Sequence, residues 1–247
     1  GSLLELMRGL LNDDPYQRWD IEDLITWRDG QRVGVKQPGV KRYKAKRPIT
    51  LVDKKYLRPE ILDRVEALGF TVFDSGHDYD LNIIGERNPH GEADKFDDYI
   101  NVLYRARGLW HWHVYRCTTD AGMYYLKNYN MPSGTAILCH PQQMRGVYKI
   151  DKHGGKYDAL CQRNGTVKVW RDRNKDHIHD MMGEVYEGYF GINIHKAGAD
   201  SVIVGKWSAG CTVFQNSDDF DEFMGICREQ IAHNDWRSFT YTLIMGK

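Results

Sequence analysis

A histidine and a cysteine within residues 191–215 have the types and spacing needed for thiol chemistry. A cysteine attacks a carbonyl as the thiolate, so it needs a base to take its proton. It also needs backbone N–H groups that stabilise the resulting oxyanion. His195 supplies the base, and Cys211, which directly follows a glycine, supplies the nucleophile. The sequence therefore predicts His195 and Cys211 as catalytic residues.

Two short strands separated by a loop must position this pair. Residues 192–195 alternate between isoleucine and polar side chains, a period of two that is typical of a half-buried strand. After a loop over residues 196–206, a tight turn at residues 208–210 leads into a second predicted strand that begins at Cys211. We expect the two strands to pair as in a hairpin, which brings the imidazole alongside the thiol.

A structural role is the alternative for Cys211. Free cysteine is among the most buried residue types, and a single Cys–His pair often has no function. Under this alternative Cys211 is buried or lies beyond hydrogen-bond reach of His195. Papain-like amidases form another alternative, but they place the cysteine before the histidine, and the order here argues against them.

The residues around the pair resemble the L,D-transpeptidase family. In that family a histidine is followed, one loop later, by Ser/Thr-His-Gly-Cys. Here Ser208, Gly210 and Cys211 match, and His195 matches the general base. Ala209 departs from the pattern, because the family usually has a second histidine there. The resemblance is close over residues 191–215 and loose over residues 95–245.

The resemblance implies both a fold and an activity. The fold is mainly β (α+β), an L,D-transpeptidase-like β-sandwich with flanking helices. The activity is cysteine-dependent acyl transfer or hydrolysis on peptidoglycan stem peptides, at a carbonyl beside a D-amino acid or a meso-diamino acid. N–H groups around Gly210 and Cys211 would stabilise the oxyanion, and Ser208 would support the loop. With an amine as acceptor the enzyme is a transpeptidase, and with water it is a carboxy- or endopeptidase. A phage or prophage cell-wall enzyme could have either activity.

Three further residues are predicted to bind the substrate. Tyr189 and Trp207 are close in sequence to the pair and would form the walls of a peptide cleft. Arg145 would pair with a carboxylate of the stem peptide. The alternative for the whole chain is a non-catalytic wall-binding or phage structural module that keeps the fold, in which these side chains have packing or surface roles.

Residues 172–180, DRNKDHIHD, form a second chemical motif. Four oxygen-bearing side chains have the spacing of the first part of a calcium loop: Asp172, Asn174, Asp176 and Asp180. The glycine and the glutamate that complete such a loop are replaced by His177 and Gly183. A structural calcium ion and a polar β-turn are therefore alternatives here, and the thiol chemistry itself requires no cofactor.

Composition argues against several other classes of function. Lys+Arg and Asp+Glu both number 34, so no bulk attraction to nucleic acid is expected. No apolar run approaches the roughly 20 residues that span a bilayer, and no signal peptide opens the chain. We expect a cell-envelope or phage-associated protein if a leader has been removed, and a cytoplasmic one otherwise. Five cysteines without a CxxC pair predict reduced thiols.

The chain is predicted to contain an appendage over residues 1–50 and a catalytic domain over residues 51–247. The stretch at residues 3–27 predicts two helices, and it is similar to the last helices of a protein-kinase C-lobe without the kinase catalytic motifs. The basic run at residues 30–47 is typical of a linker, with contact to an anionic polymer as the alternative. In the β-rich body, an Arg-Asn-Gly turn at residues 163–165 predicts a hairpin between its flanking strands.

Overall fold

The computed structural model describes residues 57–199 and 201–247. The predicted appendage and linker at residues 1–50 lie outside the described residues. The described residues form eleven strands and three helices, so the predicted mainly β class is confirmed. None of the described helices has the length and apolar character needed to cross a membrane.

The described elements are mostly strands, of three to twelve residues, with helices before and between them. In chain order they are α1 (Glu60–Ala67), β1 (Asn82–Arg87), β2 (Asp98–Ala106), β3 (Leu109–Thr118), α2 (Met123–Lys127), β4 (Thr135–Leu138), β5 (Gln142–His153), β6 (Tyr157–Gln162), β7 (Val167–Asp172), β8 (Tyr186–Gly188), β9 (Ile194–Lys196), β10 (Thr212–Phe214), α3 (Ser217–Asn234) and β11 (Phe239–Met245).

Eight of these strands close into a barrel in the order β1-β11-β5-β6-β9-β10-β3-β2. Strands β4, β7 and β8 form a separate antiparallel sheet. Closure gives each barrel strand two partners, so the barrel has no unpaired edge. A continuous cluster of buried apolar side chains, which includes Tyr148, Leu160, Phe214 and Tyr241, forms the main core.

The two strands that carry the predicted catalytic pair, β9 and β10, lie side by side and run parallel. Thr212 pairs with Ile194, and Val213 pairs with His195. The predicted hairpin-like pairing is therefore wrong. Parallel neighbours need a crossover connection of about a dozen residues or more, and residues 197–211 supply one before the chain re-enters the sheet.

The hairpin predicted at residues 163–165 is also wrong. Strand β6 belongs to the barrel, whereas β7 belongs to the small sheet. The N–H groups of Arg163 and Asn164 both donate to the Val147 carbonyl, at 3.1 and 3.0 Å. The turn is thus held on β5, and the chain leaves the barrel there instead of folding back on β6.

Helix α3 holds the two site strands from one side. The Phe220 and Phe223 rings pack on Phe214 of β10, with ring centroids 5.5 and 5.0 Å apart. Lys196, at the end of β9, forms an ion pair with Asp221 of the helix at 2.9 Å. The side chain of Asn216 caps the helix by accepting hydrogen bonds from its first N–H groups.

Candidate active site

Cys211 differs from the other four cysteines in its exposure. All five thiols are free, and Cys211 is partly exposed while the others are buried. The Asn193 N–H donates a hydrogen bond to the Cys211 sulfur at 3.4 Å. The thiol in turn donates to the Gly191 carbonyl at 3.5 Å. The sulfur is therefore held in one orientation by the segment that leads into β9.

The turn before Cys211 is closely constrained by its neighbours. Gly210 has φ of 122°, and a Cβ atom there would lie 2.4 Å from the Ala136 carbonyl oxygen. The Ser208 hydroxyl accepts from the Gly210 N–H at 3.1 Å and donates to the Cys211 carbonyl at 2.8 Å. Among the described residues, none accepts a hydrogen bond from the Cys211 N–H. This N–H is therefore free to stabilise an oxyanion at a carbonyl that the sulfur attacks.

His195 is oriented by a backbone carbonyl. Its side chain is 3% exposed, and its Nδ1 lies 3.0 Å from the Lys196 carbonyl oxygen. Because a carbonyl can only accept, Nδ1 carries the proton and Nε2 is left as the basic nitrogen. The Tyr157 hydroxyl donates to the same carbonyl at 3.2 Å and fixes that side of the ring.

A second histidine, His153, stacks on His195. The ring centroids are 4.0 Å apart and the planes differ by 18°. The Asn193 side-chain amide donates to His153 Nδ1 at 3.0 Å, and the Asn193 side-chain oxygen accepts from the Gln162 N–H at 2.9 Å. The sequence prediction missed His153 because it lies at the end of β5, far from the pair, and no local motif surrounds it.

Burial favours the uncharged forms of both catalytic candidates. It lowers the pKa of His195 to about 3, and a charge on neighbouring His153 acts in the same direction. Burial raises the pKa of the Cys211 thiol to about 11, although the hydrogen bond from the Asn193 N–H acts in the opposite direction. The resting pair at neutral pH is therefore thiol and neutral imidazole, and proton transfer has to accompany attack by the sulfur.

Asn193 connects the surroundings of the Cys211 sulfur to those of the His195 ring. No hydrogen bond joins the Cys211 sulfur to the His195 ring among the contacts of the described residues. Asn193 contacts the sulfur with its N–H and contacts His153 with its side chain. Tyr157 lies 3.4 Å from His195 Nδ1, and its pKa is raised by burial and also by the Cys211 charge. The two reactive groups thus border one polar cluster.

The predicted substrate-binding residues fall at different places. Tyr189 is 65% exposed and lines a cavity of about 280 Å³ together with Ala209. Trp207 is 46% exposed, and its ring lies beside Gly198 in the crossover loop. Arg145 lines another cavity, of about 520 Å³, none of whose lining residues borders the cavity of Ala209. The structure therefore places Tyr189 beside the turn that precedes Cys211 and places Arg145 at a different cavity.

The predicted calcium loop closes on itself through hydrogen bonds. Asn174 Oδ1 accepts from the Asp176 N–H at 3.1 Å, and Asp176 Oδ1 accepts from the Ile178 N–H at 2.7 Å. Asp172 is buried, and its carboxylate accepts from the Asp180 N–H at 3.2 Å. These bonds are typical of polar turns. No group of three or more His, Cys, Asp or Glu suited to a metal is found among the described residues, and calcium binding stays a prediction.

Comparison of the chain with protein-family models, with curated proteins and with solved structures finds no match. The functional argument therefore rests on the geometry and chemistry of the site and on the sequence resemblance over residues 191–215.

Exposure predicts that Cys211 reacts first with a thiol reagent. Burial blocks access to the four other thiols: Cys117, Cys139, Cys161 and Cys227. Limited iodoacetamide treatment at pH 8, followed by peptide mapping, should locate the modification at Cys211. The same treatment in denaturant is the control, because all five thiols then react. Earlier modification of any other cysteine would contradict the assignment.

Proposed function

We propose that this protein performs cysteine-dependent acyl transfer or hydrolysis on peptidoglycan stem peptides, as an enzyme of L,D-transpeptidase type. One observation carries the proposal. The one partly exposed thiol, Cys211, lies on a constrained turn with its own N–H free, beside the strand that carries His195.

Attack by Cys211 begins the reaction. The thiol proton passes to His195 Nε2 while the sulfur bonds to the substrate carbonyl carbon. The Cys211 N–H donates to the oxyanion that forms. Protonated His195 then gives its proton to the leaving amine, and the C–N bond breaks to leave a thioester on Cys211. Water or an amine then attacks the thioester carbonyl while His195 takes its proton, the C–S bond breaks, and the proton returns to the Cys211 sulfur, which yields hydrolysis or transpeptidation.

The substrate class and the finer fold come from the family resemblance. The order of His195, Ser208, Gly210 and Cys211 supports an L,D-transpeptidase-like β-sandwich with flanking helices as the family fold. The adjacent strands β9 and β10 and the hydrogen-bonding role of Ser208 support the same proposal. Ala209 replaces the family's usual second histidine, and this difference supports hydrolysis as an alternative to transpeptidation.

A non-catalytic wall-binding or phage structural module is the second candidate. The shifted pKa values favour it, since burial disfavours both the thiolate and the imidazolium. The absence of a direct sulfur–imidazole hydrogen bond among the described contacts favours it too. This candidate predicts wall binding that does not depend on Cys211.

Intact-protein mass spectrometry tests the proposal. Incubation with stem tetrapeptides that contain a meso-diamino acid should add one acyl group to the wild type and none to Cys211→Ala. Cys139→Ala is the matched control, because it removes a buried thiol and should still acylate. The binding module would be favoured if the wild type neither forms an adduct nor releases product. In that case the wild type and Cys211→Ala should also sediment equally with cell walls.

A further inference from the structure

The cavity of about 280 Å³ lies directly beside the reactive turn. Two of the residues that line it, Ala209 and Phe190, are close in sequence to Cys211 and to Gly191, which contacts the Cys211 sulfur. Ala209 lines the cavity and is followed by Gly210 and Cys211. Phe190 also lines the cavity and is followed by Gly191, whose carbonyl accepts from the Cys211 thiol. The cavity is therefore bordered by residues that are one or two positions in the chain from Gly191 and Cys211.

Arg171 is the only charged residue among those that line the cavity. It lies in β7, and one of its terminal NH2 groups donates to the Gly134 carbonyl at 3.0 Å. Its guanidinium lies over the Phe190 ring, 4.8 Å from the centroid. Its Nε is buried and has no hydrogen-bond partner. No carboxylate of the described residues forms an ion pair with it.

This environment suits an anionic ligand. A buried donor without a partner costs free energy, and a carboxylate supplies two acceptor oxygens that match the edge of a guanidinium. No acidic side chain lines the cavity to compete for Arg171. The small side chain of Ala209 leaves room at the end nearest Cys211. The cavity has a volume of about 280 Å³.

We propose that this cavity binds a free carboxylate of the peptide substrate through Arg171 and thereby selects bonds close to that carboxylate. The inference rests on the proposed function, since it assigns part of the substrate for Cys211. Two sources share this chemistry: the terminal carboxylate of the leaving residue, and a side-chain carboxylate of the residue that donates the acyl group. Arg171 holds whichever carboxylate enters and so positions the scissile carbonyl at the sulfur.

Amidated peptides separate these sources. Three versions of one stem peptide are compared: unmodified, amidated at the C-terminus, and amidated at the side-chain carboxylate of the diamino acid. Loss of the carboxylate that Arg171 binds should raise KM about 10- to 100-fold. If amidation of the C-terminus raises KM, Arg171 binds the carboxylate of the leaving residue. If amidation of the side chain raises KM, Arg171 binds the carboxylate of the residue that donates the acyl group. Equal KM values for all three peptides would overturn the proposal.

Variants of Arg171 supply the second arm. Arg171→Gln should abolish the preference for acid over amide, and Arg171→Lys should restore part of it. Arg173→Gln is the matched control, because Arg173 directly follows β7, carries the same charge and does not line the cavity. A purely structural role for Arg171 would lower turnover of acid and amide alike and leave their ratio unchanged, which would overturn the proposal.

A binding measurement separates failure of this inference from failure of the proposed function. Calorimetric titration of Cys211→Ala with the three peptides needs no turnover. Weaker binding of one amidated peptide, with no thioester on the wild type, would support the carboxylate site and overturn the enzyme proposal. A thioester on the wild type, with equal binding of all three peptides, would support the enzyme and overturn the carboxylate site.

Discussion

Replacement of His195 by alanine should lower kcat/KM on stem peptides by roughly 10²–10⁴-fold, the usual contribution of a general base. Nε2 is the basic nitrogen of the ring, because Nδ1 donates to the Lys196 carbonyl. Without it, a thiol whose pKa is about 11 has no acceptor for its proton. Initial rates of peptide cleavage, measured for wild type and variant at pH 7, test this expectation.

The control for this variant must account for burial. His195 is 3% exposed, so removal of its ring leaves a gap beneath His153, and the melting temperature should be recorded with the rate. His113→Ala is the matched histidine variant, since His113 stacks on Tyr104 in another part of the barrel and should leave the rate unchanged. A folded His195→Ala protein with the wild-type rate would exclude general-base catalysis by His195.

The pH profile of the wild type extends the same prediction. An ordinary histidine, with a pKa of about 6.5, would lose its basic form below that pH. Because burial lowers the pKa of His195 to about 3, kcat/KM should stay level from pH 7 to pH 5. A halving of kcat/KM near pH 6.5 would show that His195 is not buried as described, or is not the base.

Stability must be followed across the same pH range. The unfolded chain binds a proton at His195 near pH 6.5, whereas the folded chain resists protonation until about pH 3. The His195 contribution to stability is therefore complete above pH 6.5 and is lost as the pH falls toward 3. Melting temperatures recorded with the rates will separate acid unfolding from titration of the base.

Gly210→Ala should disable the reactive turn and destabilise the fold. The new Cβ would lie 2.4 Å from the Ala136 carbonyl oxygen, at a backbone φ of 122° that L-residues rarely adopt. Strain of this kind costs about 1–3 kcal/mol, which lowers the melting temperature by about 2–12 °C in a chain of this size. The turn must also shift, and a displacement of about 1 Å at a nucleophile costs on the order of 10²-fold in rate. Thermal melting and the rate of Cys211 acylation measure the two effects.

Gly225→Ala is the matched control for Gly210→Ala. Gly225 lies inside helix α3, and a Cβ there meets no atom within 4 Å. Because alanine favours helices over glycine by up to about 1 kcal/mol, this variant should be as stable as the wild type or more so. Wild-type acylation by Gly210→Ala would show that the turn before Cys211 tolerates change and does not position the sulfur.

Local patterns in the sequence were enough to predict the strands around the reactive pair. Alternation over residues 192–195 predicted a half-buried strand near β9, which spans Ile194–Lys196, but the polar Asn193 and His195 are buried as well as the isoleucines. The small residues before Cys211 predicted a tight turn into β10. The approximate position of a strand and a turn at glycine follow from neighbouring residues, whereas the burial of both strand faces depends on the sheets and the helix that pack around them. The mainly β class follows from the same short-range signals.

The tertiary structure alone decided how these strands pair and what surrounds them. The parallel register of β9 and β10 depends on the path of the crossover loop, and the failed hairpin at residues 163–165 depends on the Val147 carbonyl. His153 reaches His195 only because β5, β6 and β9 are neighbours in the barrel. Long-range contacts of this kind leave no periodicity in the sequence, because the residues that meet are far apart along the chain.

Long-range packing also explains why Arg171, and not the predicted Arg145, lines the cavity beside Ala209. Arg145 and Arg171 are both ordinary strand arginines in the sequence, and only the sheet order places Arg171 in the cavity beside Ala209 while Arg145 lines a different one. Residue type determined that a guanidinium was available to bind a carboxylate. Which guanidinium lines the cavity beside Ala209 was decided by the packing of the small sheet against the turn before Cys211, where the Ala136 carbonyl meets Gly210.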